Sequence, residues 1–279
     1  MINFMNADMT EDLISQLSIT TLVSTCDAYR DLWNVFDFYY EKNGPHNPCL
    51  LVTDRPYNET RIGNIELFAP SSALEFSDRV RLALETIHTE YVLFLLDDFA
   101  ITKPVDLSLM QEALWQIKTN RIDYLRLSKG TKLPLGKHLS KHIKEMNLKK
   151  PYDADVHAFI IRTDTFKHLL TVSNERIWNF EPVMSKRLFE AKARCAYMSP
   201  AFIRTTELVT KGCFFRFRYH FVKQTHCYSG SRKKLKLSVN LSYYFGLFLR
   251  RITPTFISNG LKKHLRKKGK IFLSDQGLF

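Results

Sequence analysis

The chain has 279 residues, 45% of them hydrophobic and 13% aromatic, an ordinary globular composition with enough apolar mass for one large domain or two small ones. Its formal charge of +13 is unevenly spread: residues 211–279 hold 16 of the 41 Lys+Arg and a single acid, Asp275, so that segment carries +15 and the first 210 residues −2. A near-neutral body with a strongly basic tail points to an anionic partner bound by the tail, nucleic acid or acidic lipid, while the body has no such charge bias. Cys26, Cys49, Cys195, Cys213 and Cys227 are odd in number and scattered, with no CxxC pair, which argues against a zinc site or a disulfide framework and for reduced cytosolic thiols. The N-terminus, MINFMNADMTEDLISQL, has acids where a signal peptide needs a basic region and an apolar core. No run of about 18 apolar residues occurs, because Arg250, Arg251 and Pro254 interrupt the nearest candidate at 241–257.

In chain order, a short amphipathic helix is expected around 10–17, and the β-branched run ITTLVST (19–25) reads as a buried strand. YRDLWNVFDFYYEKNG (29–44) has Leu32, Val35, Phe36 and Tyr39 at helical spacing and stops at Asn43-Gly44. CLLVTD (49–54) and IELFAP (65–70) read as strands ending in turns. FSDRVRLALETIHTE (76–90) reads as a helix with Ser77 as N-cap. The next segment, YVLFLLDDFAI (91–101), is a buried strand run that ends in two adjacent acids, Asp97 and Asp98. Further strands are expected at 121–128, 155–163 and 196–205, helices at 164–172 and 180–192, and a long polar loop at 129–155. Strands alternating with helices of this length predict an α/β fold with a parallel sheet covered on both faces. In open sheets of that kind ligands bind beyond the carboxyl ends of the strands, where Asp97 and Asp98 fall.

Adjacent carboxylates at a strand end have the chemistry to hold a hard divalent cation, which in turn neutralises a diphosphate; the same acids also serve elsewhere as helix caps or arginine partners. Arg79, at the start of the helix that feeds the acid strand, is suited to bridging phosphate oxygens or orienting Asp97, although most helix arginines are simply solvated. Asp27 has the chemistry to accept a hydrogen bond from a pyrimidine ring N–H and Tyr29 to stack on the base, against the plainer alternative that Asp27 caps the following helix. Asp54, after the second strand, has similar standing. His157, like His220 and His226, is a candidate metal ligand or phosphate contact. Trp178 is suited to stacking on a sugar face or to filling the core. GxSxG, GxGxxG and the P-loop pattern are missing.

About a hundred residues of βα units before a paired acid resemble the GT-A glycosyltransferases. The resemblance is carried by TTLVSTCDAYRDLWNVFDFY, CLLVTD, FSDRVRLALETIHTEYVLFLLDDFAITKPVD and WNFEPVMSKRL, and it covers about residues 19–205. It implies a GT-A-like Rossmann-type mixed sheet flanked by helices, with a nucleotide-binding half at 1–105 and an acceptor half at 106–210. It places donor contacts at Thr25, Asp27, Tyr29, Asp54, Arg79 and Asp97, a metal ligand at Asp98, and acceptor contacts at Trp178 and His157. The family's acid motif is Asp-x-Asp or Glu-Asp-Asp; here Leu96-Asp97-Asp98-Phe99 lacks one acid of the triplet. NFEPVMSKRLF (179–189) resembles the family's Glu-Asp-x-x-Leu-x-x-Arg-Leu segment and places Glu181 on the catalytic base, whereas Pro182 beside it reads as a first-turn proline. The implied cofactor is a divalent cation, Mn²⁺ or Mg²⁺.

The last region, 211–279, reads as a basic helical extension. Ile257, Leu261 and Leu265 share a helical face, and Arg250, Arg251, Lys262, Lys263, Arg266 and Lys267 supply cations for an anionic membrane surface. No nucleic-acid module is visible and the body is slightly acidic, so nucleic acid is not the expected partner. Together these readings describe a cytoplasmic enzyme peripheral to the inner face of the cell membrane. It would transfer a sugar from a nucleotide-diphosphate donor to a glycan or lipid-linked acceptor in bacterial capsule or lipopolysaccharide synthesis. Two rivals stand beside it: a nucleotidyltransferase, against which STCDAYRD offers no glycine for a phosphate loop, and a non-catalytic sugar-nucleotide-binding module of the same shape.

Overall fold

A computed structural model describes residues 19–128, 130 and 133–252. The helix expected at 10–17 and the cations Lys262, Lys263, Arg266 and Lys267 lie outside the described residues, as do the side chains of Arg250 and Arg251.

The chain begins with β1 (Ile19–Ser24), a 3-10 turn (Asp27–Leu32) and α1 (Trp33–Asn43), followed by β2 (Cys49–Val52), β3 (Arg61–Ile62) and β4 (Ile65–Phe68). Next come α2 (Phe76–Glu85), β5 (Tyr91–Leu96), β6 (Phe99–Lys103), α3 (Leu107–Asn120) and β7 (Tyr124–Arg126). The hairpin β8 (Leu135–His138) and β9 (Ile143–Met146) leads to β10 (Ala158–Arg162), α4 (Thr163–Leu169), α5 (Ile177–Glu190) and β11 (Cys195–Met198). The described chain closes with β12 (Arg204–Glu207), β13 (Val209–Thr210), β14 (Cys213–Phe214), α6 (Tyr219–Gln224) and α7 (Leu237–Ile252).

The expected mixed α/β sheet flanked by helices is formed. Its strand order is β3-β4-β2-β1-β5-β10-β7-β11-β9-β8. β4, β2, β1, β5, β7 and β11 run in one direction, and β10 is inserted antiparallel between β5 and β7. The central strands β1 and β5 are buried nearly throughout, which is why they read as continuous apolar runs without alternation. Their register aligns Ile19 with Tyr91 and Ser24 with Leu96, so the two strands end side by side.

Several local expectations are corrected. The polar stretch 129–155 is not one loop: β8 and β9 extend the sheet edge within it. Ser77 does not cap α2, which starts at Phe76 after Glu75; its buried hydroxyl instead accepts from the Glu175 amide at 2.9 Å. The strand expected at 196–205 is two pieces, β11 in the main sheet and β12 paired with β6 in a separate ribbon. α5 begins at Ile177, earlier than expected, which moves Pro182 from the first turn into the helix interior, where it cannot donate the i→i−4 bond to the Trp178 carbonyl.

One sheet face packs Trp33, Phe36, Leu93, Leu95 and the α3 residues Met110, Ala113 and Leu114. The other packs α2, α4 and α5 around Phe94, with Phe159 stacked on it at 4.8 Å and Phe166 edge-on at 5.6 Å. A third cluster joins Leu32, Val35 and Tyr39 of the first helical segment to Leu208, Val209, Phe214 and Val222. The start of the basic 211–279 region is thus packed on the body. Among the described residues no helix is long and apolar enough to cross a membrane. Replacing Phe94 by Ala removes the ring at the centre of this aromatic cluster and is expected to cost about 3–5 kcal/mol in urea unfolding; a loss below about 1 kcal/mol would show that the cluster does not hold the sheet to its helices.

Candidate active site

Because β1 and β5 end in register, the residues just past them meet. Thr25 Oγ1 donates to Asp97 Oδ2 at 2.6 Å and accepts from Trp33 Nε1 at 2.8 Å, so the first acid is fixed through the first strand's loop and α1. Asp97 is 5% exposed, while Asp98 keeps part of its surface open. Burial and the neighbouring Asp98 charge push the Asp97 carboxyl well above the usual carboxylate range. Asp98 is pushed up to about 7, first by burial and then by Glu207, with His157 and Arg232 pulling the other way. Two acids in one place cannot both ionise freely without compensating positive charge.

Around Asp97 lie the other expected donor contacts. The Asp27 amide donates to Asp54 Oδ1 at 2.7 Å, Tyr57 Oη donates to Asp27 Oδ1, and Arg55 stands 3.6 Å from Asp27 Oδ2. Asp27 makes no side-chain capping bond to the 3-10 turn, which starts after Cys26. Arg79 is 7% exposed; its guanidinium reaches Leu74 O and Ser24 Oγ only at 3.4 Å, and its Nε has no partner. Burial depresses its pKa, and Asp54, Cys26, Glu75 and Asp97 act to keep it charged. Tyr29 lies beneath Arg232, whose guanidinium carbon is 4.6 Å from the ring centroid. Arg232 is itself tied down by Asp31, at 2.6 and 3.0 Å, and by the Ala28 carbonyl at 2.7 Å. One face of the ring expected to stack on a base is therefore already covered.

On the other side of Asp98 the structure assembles a second group. Asp155 is buried and accepts from Arg126 Nη2 at 2.6 Å and from Ser128 Oγ at 2.7 Å. His157 Nδ1 lies 2.9 Å from Asp155 Oδ2. Burial raises the Asp155 carboxyl, but His157, Arg126 and Ser128 outweigh it and hold it low; for His157, burial disfavours the cation and Asp155 more than restores it. On α5, Ser185 accepts from the Ala154 amide at 2.9 Å and pins the helix to the 153–157 loop. Glu181, four residues earlier and so on the same helix face, sits against Val156 and His157. Burial raises its carboxyl, while His157 and the Val156 amide moderate the shift. α5 is further anchored by the bidentate pair of Arg187 with buried Glu175, at 2.7 and 2.8 Å. Trp178 is 75% exposed one turn from Glu181, so it is not a core tryptophan.

Asp97, Asp98, His157 and Glu181 are thus electrostatic neighbours at one end of the sheet, with Thr25, Asp27, Tyr29, Asp54 and Arg79 grouped on the β1 side. Glu207 was not anticipated. β12 pairs antiparallel with β6 and aligns Glu207 with Phe99, next to Asp98, where burial raises its carboxyl and Arg218 and Tyr243 partly offset that. Arg232, Asp155 and Arg126 were also unforeseen. Among the described residues no three His, Cys, Asp or Glu side chains cluster as a metal site. A shallow concavity of about 690 Å³ lined by Asn34, Asp37, Phe38, Glu41, Lys42 and Cys227 involves none of these groups.

No protein-family model matches the chain, and no curated protein matches it. Among solved structures, the chain is similar to S. aureus TarS 1–349, at 13% identity and a TM-score of 0.45 over 66% of this chain and 59% of that one. It is similar to UDP-glucose pyrophosphorylase complexed with UDP-glucose, at 12% identity and a TM-score of 0.48 over 75% of this chain and 97% of that one. It is also similar to CMP:2-keto-3-deoxy-manno-octonic acid synthetase complexed with CTP, at 10% and 0.48 over 74% and 99%. The chain therefore spans less than two thirds of TarS 1–349. Likenesses of this size leave the chemistry to the site itself.

The sign of the Asp98 shift gives a pH test. Its folded-state pKa, about 7, lies above the ordinary 3.8, so the stability it allows is complete at low pH and is lost as pH rises through about 7. Asp98→Asn should raise the melting temperature of the ligand-free protein at about pH 8, and the gain should shrink toward zero near about pH 4. A gain independent of pH, or a loss at the higher pH, would contradict this charge balance.

Proposed function

We propose that the chain is a glycosyltransferase that moves a sugar from a nucleotide-diphosphate donor to a hydroxyl of a glycan or lipid-linked acceptor, in the assembly of a bacterial surface polysaccharide at the inner face of the membrane. The observation that carries this reading is the arrangement of three carboxylates and a histidine, with different surroundings, at one sheet end. Asp97 and Asp98 follow β5, and Glu181 and His157 face them from α5 and the start of β10.

On the β1 side, Thr25, Asp27, Asp54 and Arg79 would bind the nucleotide, and the under-bonded Arg79 guanidinium suits a phosphate or a ribose-bound carboxylate. A divalent cation such as Mn²⁺ or Mg²⁺ fits the donor set, because oxygen ligands are present and both acids carry raised pKa values that a cation would relieve. Asp98 would hold it, with Asp97 beside it. Such ions are commonly bound by one or two carboxylates together with substrate phosphates, and when bound the cation supplies charge neutralisation for the diphosphate.

In the transfer, the acceptor oxygen forms a bond to the sugar C1 as the bond from C1 to the diphosphate oxygen breaks. The acceptor's proton passes to Glu181, whose raised pKa makes it a better base than a solvated glutamate. His157, oriented by Asp155, lies beside Glu181 and offsets its charge. Trp178, exposed on the same helix, offers a flat face for a sugar ring. A base placed to activate the acceptor favours inversion at C1.

Glu181→Gln keeps the shape of the side chain and removes its basicity. Transfer from a radiolabelled nucleotide-sugar donor should fall by about a hundredfold or more while donor binding is retained. Full transfer activity in this variant would refute the base assignment. A triphosphate substrate turned over in place of the diphosphate sugar would instead favour the nucleotidyltransferase reading.

A further inference from the structure

The last described helix has two unlike faces. One is fastened to the body: Asn240 is fully buried and its Oδ1 accepts from the Arg216 amide at 3.1 Å. Tyr243 Oη donates to Glu207 Oε2 at 3.2 Å, and Tyr244 lies under the Arg218 guanidinium at 5.5 Å. The other face carries Leu237, Leu241, Phe245 and Phe248, each 50–61% exposed. At roughly 100° per residue these four fall within an arc of about 80°, one continuous apolar stripe. Because the adjoining flank of Asn240, Tyr243 and Tyr244 is fixed by contacts with the body, the stripe is held outward by the fold.

The charge around the stripe selects its partner. No Asp or Glu occurs from Leu208 to Ser274. Exposed Lys233, Lys234 and Lys236 lie immediately before the stripe, exposed Arg216 lies beside the Asn240 anchor, and Arg250 and Arg251 follow Phe248 in sequence. A second copy of the chain on this face would bring two strongly basic segments together, a like-charge contact that opposes pairing. Among the described residues no helix is long and apolar enough to cross a membrane, and an apolar stripe flanked by cations is the pattern of a helix lying in a membrane interface.

We propose that the Leu237–Leu241–Phe245–Phe248 face of α7 docks on the surface of an anionic lipid bilayer. The adjoining flank, through Tyr243 and Glu207, ends beside Asp98, so docking sets the carboxylate site at the rim of the lipid interface. This placement suits an acceptor presented at the membrane surface. Docking itself requires neither donor nor acceptor and stands apart from the transferase reading.

The test is co-sedimentation of the full chain with vesicles of phosphatidylcholine containing phosphatidylglycerol, compared with phosphatidylcholine alone. The wild type should partition onto the anionic vesicles, less so at high salt. L241E/F245E should lower that partition by at least about tenfold with an unchanged melting temperature, whereas W115E, at an exposed tryptophan on α3, should bind as the wild type does. Lys233→Gln with Lys236→Gln should weaken binding at low salt. The proposal is overturned if the wild type stays in the supernatant, or if L241E/F245E binds like the wild type. It is equally overturned if that double variant melts at a markedly lower temperature, which would show the stripe covered by the chain itself, or if it dissolves a lipid-independent dimer of the wild type.

Discussion

The parallel pairing of β1 with β5 is the constraint on which the rest of the site depends. Six residue pairs in register, from Ile19 with Tyr91 to Ser24 with Leu96, bring both strands to an end at the same level. Thr25 can then donate to Asp97 at 2.6 Å and receive Trp33 from α1. A slip of one residue would turn every side chain of the strand to the opposite face and carry the acids away from the loop that holds them. The aromatic cluster around Phe94 and the helices behind it fix this register from one face of the sheet, and Leu93 and Leu95 fix it from the other.

The second feature is an excess of negative charge that the fold tolerates. Asp97, Asp98, Glu181 and Glu207 all have carboxyls raised by burial, with His157, Arg218 and Arg232 giving partial relief. Burying acids in this way is unfavourable for the ligand-free chain, and such costs are concentrated where a protein binds or reacts. The buried Asp155 shows the contrast. It is matched by Arg126, Ser128 and His157 and is held low, whereas the acids around it are raised by burial.

Much of this was legible in the sequence, for physical reasons. Tyr91–Leu96 reads as a buried strand because both of its faces are covered, and two acids closing such a run mark the strand's end. The helix carrying Glu181 was legible in its segment, although Pro182 suggested a helix start that the fold places a turn earlier. The β8–β9 hairpin was hidden because its edge strand β8 is short and mostly exposed and offers no apolar run. Glu207 and Arg232 reach the site from more than a hundred residues away, through the pairing of β12 with β6 and the return of the chain over Asp31. The local sequence around them carries no mark of that. The alternation in RTTE is too short to show a strand, and Arg232 sits in a run of cations that reads as solvated surface.

The central claim is that the acids closing β5 receive a nucleoside diphosphate. Isothermal titration of a nucleoside diphosphate into the full chain with Mn²⁺ present tests it most directly. The account predicts saturable binding at one site per chain that is lost in Asp98→Asn; no binding, or binding of equal strength in that variant, would contradict it.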